Sequence, residues 1–175
     1  MPDCVAVKFE MAEYWHIVPQ FEEAVKAHFA SPPEVEVDLV FVVPEKDFNA
    51  AGKGSSEVKN LLKRLGVDSE TLRRIAVASY EAEINVAAHS KGGTMICLVY
   101  DNLIHIRFED KGPGIWDIKQ AMVPGFSTAD DLVREFGFGA GLGLPNIEKN
   151  SDALHIVSAK DNPTLLELII FFGTP

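Results

Sequence analysis

Glu81, Asn85 and His89 recur at every fourth residue along "YEAEINVAAHS". The apolar spacing of that segment predicts a helix, so the three side chains share one of its faces. A carboxylate and an amide oxygen one turn apart can serve a proton transfer and a hard cation together. Mg2+ takes oxygen ligands and keeps several of its waters, so one amide oxygen plus substrate phosphates is sufficient ligation. The neighbouring carboxylate can then accept a proton from an attacking hydroxyl or water. Glu-x-x-x-Asn alone describes a solvated helix face far more often than a site, and Glu57 and Glu83 read as solvated positions of that kind.

A second carboxylate stands out in "LIHIRFED". Ile104, Ile106 and Phe108 alternate with His105, Arg107 and Glu109, and the strand period carries Asp110 to the same inward side as the apolar set. An inward carboxylate is costly unless hydrogen-bonded. Gly112 and Gly114 of the following "KGPG" leave space beside it. Asp110 can therefore form the floor of a pocket and accept a hydrogen bond from an exocyclic amine such as N6 of adenine. A strand-end Asp that caps its own turn is the plainer alternative.

The third feature is "FGFGAGLGL", with glycine at 137, 139, 141 and 143. A P-loop is absent, because the Gly52-Lys53 pair has Asp47 where that loop needs its first glycine. The dinucleotide fingerprint also fails, since these glycines alternate and open no βαβ unit. The run instead precedes Pro145-Asn146-Ile147, a suitable helix start. Bare backbone N–H groups at a helix N-terminus form an anion site. A flexible linker is disfavoured because Phe138, Leu142 and Leu144 are interleaved as apolar anchors.

These residues need a scaffold, and the chain has the length and composition to build one. Its 175 residues, 47% hydrophobic and 24% charged, suit one globular domain. The net charge of −10 disfavours nucleic-acid binding. No apolar run approaches a membrane span, and "MPDCVAVKFEMAEYWH" lacks the layout of a signal peptide. Cys4 and Cys97 suggest neither a disulfide framework nor a zinc site, so a cytoplasmic location is expected. A strand is expected from Glu34, a helix over 57–65, and a second helix capped by Asp68 or Ser69. Leu72, Ile75, Ser79, Ala82 and Val86 form its core stripe. Two hairpins follow, one turning at Asp101-Asn102 and one through "KDNPT". This order predicts a two-layer α/β sandwich, a mixed and mostly antiparallel sheet with helices on one face.

Together, "EAEIN" (81–85), "DKGPG" (110–114) and "GAGLG" (139–143) resemble, in order, the N box, D-x-G-x-G box and G-x-G-x-G box of the GHKL ATPase superfamily. Within it the chain is most similar to the bacterial anti-sigma-factor serine/threonine kinases, including the switch kinases. His89 after Asn85 and "QAMVPGFST" before the glycines support this, and the likeness covers residues 34–172. The resemblance implies the Bergerat fold, ATP and Mg2+. It implies Glu81 as general base, Asn85 as the Mg2+ ligand and Asp110 on the adenine amino group. Gly112 and Gly114 would shape the rim, and Gly139, Gly141, Leu142 and Gly143 would hold the triphosphate with His89 beside them. Residues 115–138 would be the ATP lid, with Gly137 as its hinge. Thr164, where the family carries a Gly-Thr pair, would be an adenine-side contact.

The function so implied is phosphorylation of an anti-sigma-factor antagonist, accompanied by sigma-factor binding. A nucleotide-gated binding module and a slow ATPase switch are the alternatives. Residues 1–33 read as an extension ahead of a kinase domain at 34–175. An interaction role such as homodimerisation is favoured for the extension over an inert arm, because Trp15, Phe21 and Phe29 need burial; His16 and His28 read as surface or packing residues.

Overall fold

The structure, a computed structural model, describes residues 11–173; Cys4 lies outside them. Six strands form one antiparallel sheet: β1 (Ala12–Ile17), β2 (Val37–Val43), β3 (Gly93–Val99), β4 (Leu103–Asp110), β5 (Ala153–Ser158) and β6 (Leu165–Phe171). Their order across the sheet is β1-β5-β6-β4-β3-β2. The helices are α1 (Glu22–Ala30), α2 (Lys53–Arg64), α3 (Ser69–His89), α4 (Ile118–Ala121), α5 (Asp131–Glu135) and α6 (Gly143–Asn150). The expected α/β sandwich is thus observed, except that every strand pair is antiparallel and α1 lies on the face opposite α3, where one helical face was expected. The Asp101-Asn102 turn closes with Tyr100 N–H donating to Leu103 O at 2.9 Å. That turn sets the register of β3 against β4, in which Val99 faces Ile104 and Cys97 faces Ile106.

Helix α3 is the spine of the covered face. Asp68 caps it, its carboxylate accepting from the N–H groups of Glu70 and Thr71. Leu72, Ile75, Ala82 and Val86 meet Ile104, Ile106 and Phe108 of β4 and Leu166, Leu168 and Ile170 of β6. Each of the large side chains gains about 1.5–3 kcal/mol from burial. Val58 and Leu62 of α2 and Ile147 of α6 complete the same layer. Cys97 is a free thiol in this core, its pKa pushed up by burial.

Glu83 departs from the expectation of a solvated face. It is buried at 2% exposure, and its carboxylate accepts from the N–H groups of Gly54 and Ser55 and from the Ser55 hydroxyl. It satisfies the first turn of α2, whose N-cap is Gly52 and provides no side-chain acceptor. This also moves the start of that helix forward to Lys53, ahead of the expected 57.

The described part of the N-terminal segment is built into the sheet. β1 pairs with β5 as an edge strand. α1 lies on the face opposite α3, with Phe21 and Val25 against Leu103, Ile169 and Phe171. Phe21 stacks on Phe171 at 4.6 Å, while Trp15 and Phe29 remain 41% and 39% exposed despite the expectation of burial. Trp15 stacks on His155 at 3.8 Å instead.

A polar chain crosses this second face. Buried Glu167 lies 2.9 Å from His155 Nδ1 and 3.2 Å from both His105 Nε2 and Arg107 Nε. His28 Nε2 reaches His105 Nδ1 at 3.2 Å, and His155 Nε2 reaches Glu13 at 2.9 Å. Burial acts to raise the Glu167 pKa, but the histidine hydrogen bonds and the Arg107 charge outweigh it and hold the carboxyl at about 2. For His155, burial acts downward, yet its bonds to Glu167 and Glu13 leave it raised. His28 is lowered by burial and by neighbouring His105.

A carboxyl lowered in the folded state stabilises above its ordinary value, and this is lost as pH falls through the folded value. For Glu167 the window runs from 4.5 down to about 2. A histidine raised in the folded state acts oppositely: the His155 contribution is full below 6.5 and fades as pH rises through its folded value. Urea unfolding of the wild type should lose stability between pH 4.5 and about 2, and Glu167→Gln should flatten that slope. An unchanged slope in the variant would place the acid sensitivity elsewhere.

Candidate active site

A cleft of about 1830 Å³ opens between α3, the ends of β4 and β6, α6 and the segment 115–138. Glu81, Asn85, His89, Asp110, Gly112, Gly114, Gly139, Gly141, Leu142, Gly143 and Thr164 all line it. The three separate stretches read from the sequence therefore meet at one cavity. α3 brings its polar face there because its apolar stripe is occupied by the sheet.

Asp110 forms part of the inner wall. Its Oδ1 accepts from Gly112 N–H at 2.9 Å and from Thr164 N–H at 2.8 Å. The carboxylate thereby keeps Oδ2 for another donor. Thr164 also accepts, through its carbonyl, from Asp110 N–H at 3.1 Å. Its buried hydroxyl lies 2.8 Å from Ser158 Oγ, which accepts from Ile115 N–H. β4, β6 and β5 are thus tied together behind the carboxylate. Gly114 has φ +74°, and a Cβ there would collide with the Ala159 carbonyl oxygen. The glycine is required for this crossing of the β5–β6 loop as well as for pocket space.

The glycine run lies against the lid. Gly141 has φ +73°, and a Cβ on it would overlap the backbone of Gly125 and Phe126. Gly125 N–H donates to Gly141 O at 2.9 Å. A Cβ on Gly139 would overlap Ala129. Gly143 starts α6 beside Asn85, whose Oδ1 would stand 3.0 Å from any Cβ there. Gly137 has φ +85° with nothing within 4 Å, so its requirement is conformational, as suits a hinge. Leu144 packs on the core, whereas Leu142 is 47% exposed and anchors nothing. Leu142 instead provides the carbonyl that accepts from Asn146 N–H in the first turn of α6.

Three further residues at the cavity were not singled out in the sequence. Lys46 Nζ lies 2.7 Å from Asp130 Oδ2 and donates to Ala88 O at 2.9 Å. Asp130 also caps α5 through Val133 N–H. The lid is thereby latched to the C-terminal end of α3. Lys46 holds the Asp130 carboxyl below its usual range, mainly by hydrogen bonding. His89 lies exposed at the same mouth, where desolvation by the cleft wall and then the Lys46 charge lower its pKa. Asn146 on α6 donates from Nδ2 to Glu81 Oε1 at 2.8 Å. "PNI" showed a helix start, but nothing local in it points to Glu81, and the latch pairs residues 84 positions apart.

No group of three or more His, Cys, Asp or Glu side chains suited to a metal ion occurs among the described residues. A cation here would need nucleotide oxygens beside Asn85, and that donor chemistry fits Mg2+. No helix among the described residues is long and apolar enough to cross a membrane.

A six-stranded sheet backed by α3 and α6, with three boxes around a lidded cleft, has the architecture of a GHKL ATPase domain. No family model matches the chain. It is 32% identical over 115 residues to the serine/threonine-protein kinase RsbT of Bacillus subtilis, covering 63% of this chain and 80% of that protein. Against the anti-sigma F factor of Clostridium novyi it is 30% identical over 113 residues, 61% of this chain and 76% of the relative. The anti-sigma F factor of Caldanaerobacter subterraneus is 29% identical over 105 residues, 60% and 66% of the two chains. The chain belongs to the family of GHKL-type serine/threonine protein kinases that contains these proteins.

The latch yields a direct test. Exposed ion pairs contribute about 0–1 kcal/mol and weaken with salt. Lys46→Met should raise amide exchange across 125–135 severalfold while barely moving the global unfolding midpoint. Added salt should shift the wild type toward the variant. Unchanged exchange would mean that packing, and not the ion pair, closes the lid.

Proposed function

We propose that this kinase uses ATP with Mg2+ to phosphorylate a serine or threonine of an anti-sigma-factor antagonist protein, and that it also binds a sigma factor. The strongest support is the convergence of Glu81 and Asn85, of Asp110, and of Gly139, Gly141 and Gly143 on one lidded cleft. Phosphoryl transfer asks a protein mainly for positioning and charge stabilisation. Glu81 takes the proton of the acceptor hydroxyl as its oxygen attacks the terminal phosphorus. The bond from that phosphorus to the bridging oxygen breaks, and ADP leaves.

Asn85 is the side chain that would hold Mg2+, whose charge would offset that of the phosphates. The unoccupied Oδ2 of Asp110 would accept from the adenine amino group, with Gly112, Gly114 and Thr164 fixing the carboxylate and its rim. Backbone N–H groups of the glycine run from 139 to 143 would meet the phosphates, which requires the lid loop to move off Gly139 and Gly141. His89 would donate to a phosphate oxygen. Protein substrates of this class would be met in the cytoplasm, which is where the chain would act.

The test is transfer from γ-labelled ATP, with Mg2+, to a panel of purified anti-sigma-factor antagonist domains. Glu81→Gln should retain ATP binding and lower transfer by about 10² or more, the usual contribution of a general base. Asp110→Asn keeps an acceptor toward Gly112 and Thr164 but turns an N–H2 toward adenine. It should weaken ATP binding by about 10–100-fold, as for loss of a hydrogen bond to a charged group. Transfer at full rate in Glu81→Gln would remove the base assignment. A wild type that binds ATP and labels no domain would favour a nucleotide-gated binding module, or an ATPase switch if phosphate is released.

A further inference from the structure

We propose that Asn146 is a positioning residue for the Glu81 carboxylate and that it couples the base to the glycine run. The inference rests on the reading of Glu81 as general base given above. Asn146 Nδ2 donates to Glu81 Oε1 at 2.8 Å, across the seam between α6 and α3. One carboxylate oxygen is thereby committed, which fixes the rotamer and leaves the other for the hydroxyl proton. A carboxylate on an isolated helix face would sample several rotamers, and misplacement of a catalytic group by about 1 Å can cost 10²-fold in rate.

The chemistry of an amide suits this task. Its N–H2 group donates and does not titrate, so it orients the base without competing for the proton. Asn146 is itself held from two directions. Its backbone N–H donates to Leu142 O at 2.9 Å, and its backbone oxygen accepts from Asn150 Nδ2 at 2.8 Å. The first bond ties it to the last turn of the glycine run.

The pairing also has a register. Glu81 and Asn85 are one turn apart on α3, while Asn146 and Gly143 are one turn apart on α6. Asn146 meets Glu81, and Gly143 meets Asn85. A shift of α6 along α3 therefore moves the base and its amide neighbour together. Movement of the glycine run when a ligand's phosphates seat is transmitted to Glu81 through one side chain.

A double-mutant cycle on transfer from γ-labelled ATP separates positioning from mere support, since a residue acting through another is non-additive with it. Asn146→Ala should lower kcat about tenfold with KM for ATP within about twofold, and should have no further effect in the Glu81→Gln background. Asn146→Asp sets two carboxylates within hydrogen-bond distance, where they share a proton. Its rate should fall further than that of Asn146→Ala and recover as pH rises. Asn146→Gln, which keeps the donor, should restore part of the rate. An unaltered kcat in Asn146→Ala, or the same loss in both backgrounds, would overturn the positioning role while leaving the kinase reading intact. Absence of transfer by the wild type would overturn both. Thermal melts of each variant show whether a rate change follows loss of folding, and a rate loss that tracks the melting shift would also count against the proposal.

Discussion

The close approach of α6 to α3 is the contact on which the site depends. Gly143 makes it possible, because any side chain there would press on the Asn85 amide. With the seam closed, Asn146 reaches Glu81 and Ile147 enters the core beside the α3 stripe. The apolar burial of Ile147 stabilises the contact by about 1.5–3 kcal/mol, and the polar pairs then set its register. A larger residue at 143 would oppose both at once. Gly143 of the glycine run thus makes room for the helix interface.

The same bare backbone is used twice. Gly139 and Gly141 adopt positive φ and admit the lid loop at distances no Cβ would allow. Those surfaces are also where an anion at the α6 N-terminus would lie. A ligand anion there would compete with the loop for one strip of backbone. The Lys46–Asp130 pair holds the lid by an exposed contact that salt weakens. A weak latch over a shared surface lets a tightly bound ligand displace the loop, as a strong one would not.

Much of the scaffold could be read from periodicity. The α3 stripe, the Asp68 cap, both hairpins and the inward side of Asp110 follow from local residue patterns, and the structure reproduces them. The candidate residues that line the cleft could be picked out because each stretch carries a local signature. What escaped was determined by distant partners. Glu83 resembles Glu57 in the sequence, and only the uncapped α2 N-terminus explains its burial. Leu142 and Leu144 look alike in the glycine run, yet one faces solvent and one the core, because the helix begins between them. Lys46 follows a strand with no motif around it, and its partner lies in the lid.

The N-terminal segment illustrates the same limit. Its strand shows little alternation, but β5 would otherwise be an unpaired edge, and β1 covers it. Once there, β1 acts on both faces of the sheet. Tyr14 packs toward the α3 side and donates its hydroxyl to Glu148 of α6, two residues beyond Asn146. Burial, then this bond, raises the phenol to about 12, so it remains a donor at any physiological pH. Glu13 and Trp15 point the other way, to His155 and through it to Glu167. Glu167 belongs to β6, whose preceding residue Thr164 holds the Asp110 carboxylate. Thus one strand outside the three boxes braces α6 from one side and β6 from the other. The positions of Glu81 and Asp110 then depend on a segment that lies outside the three boxes.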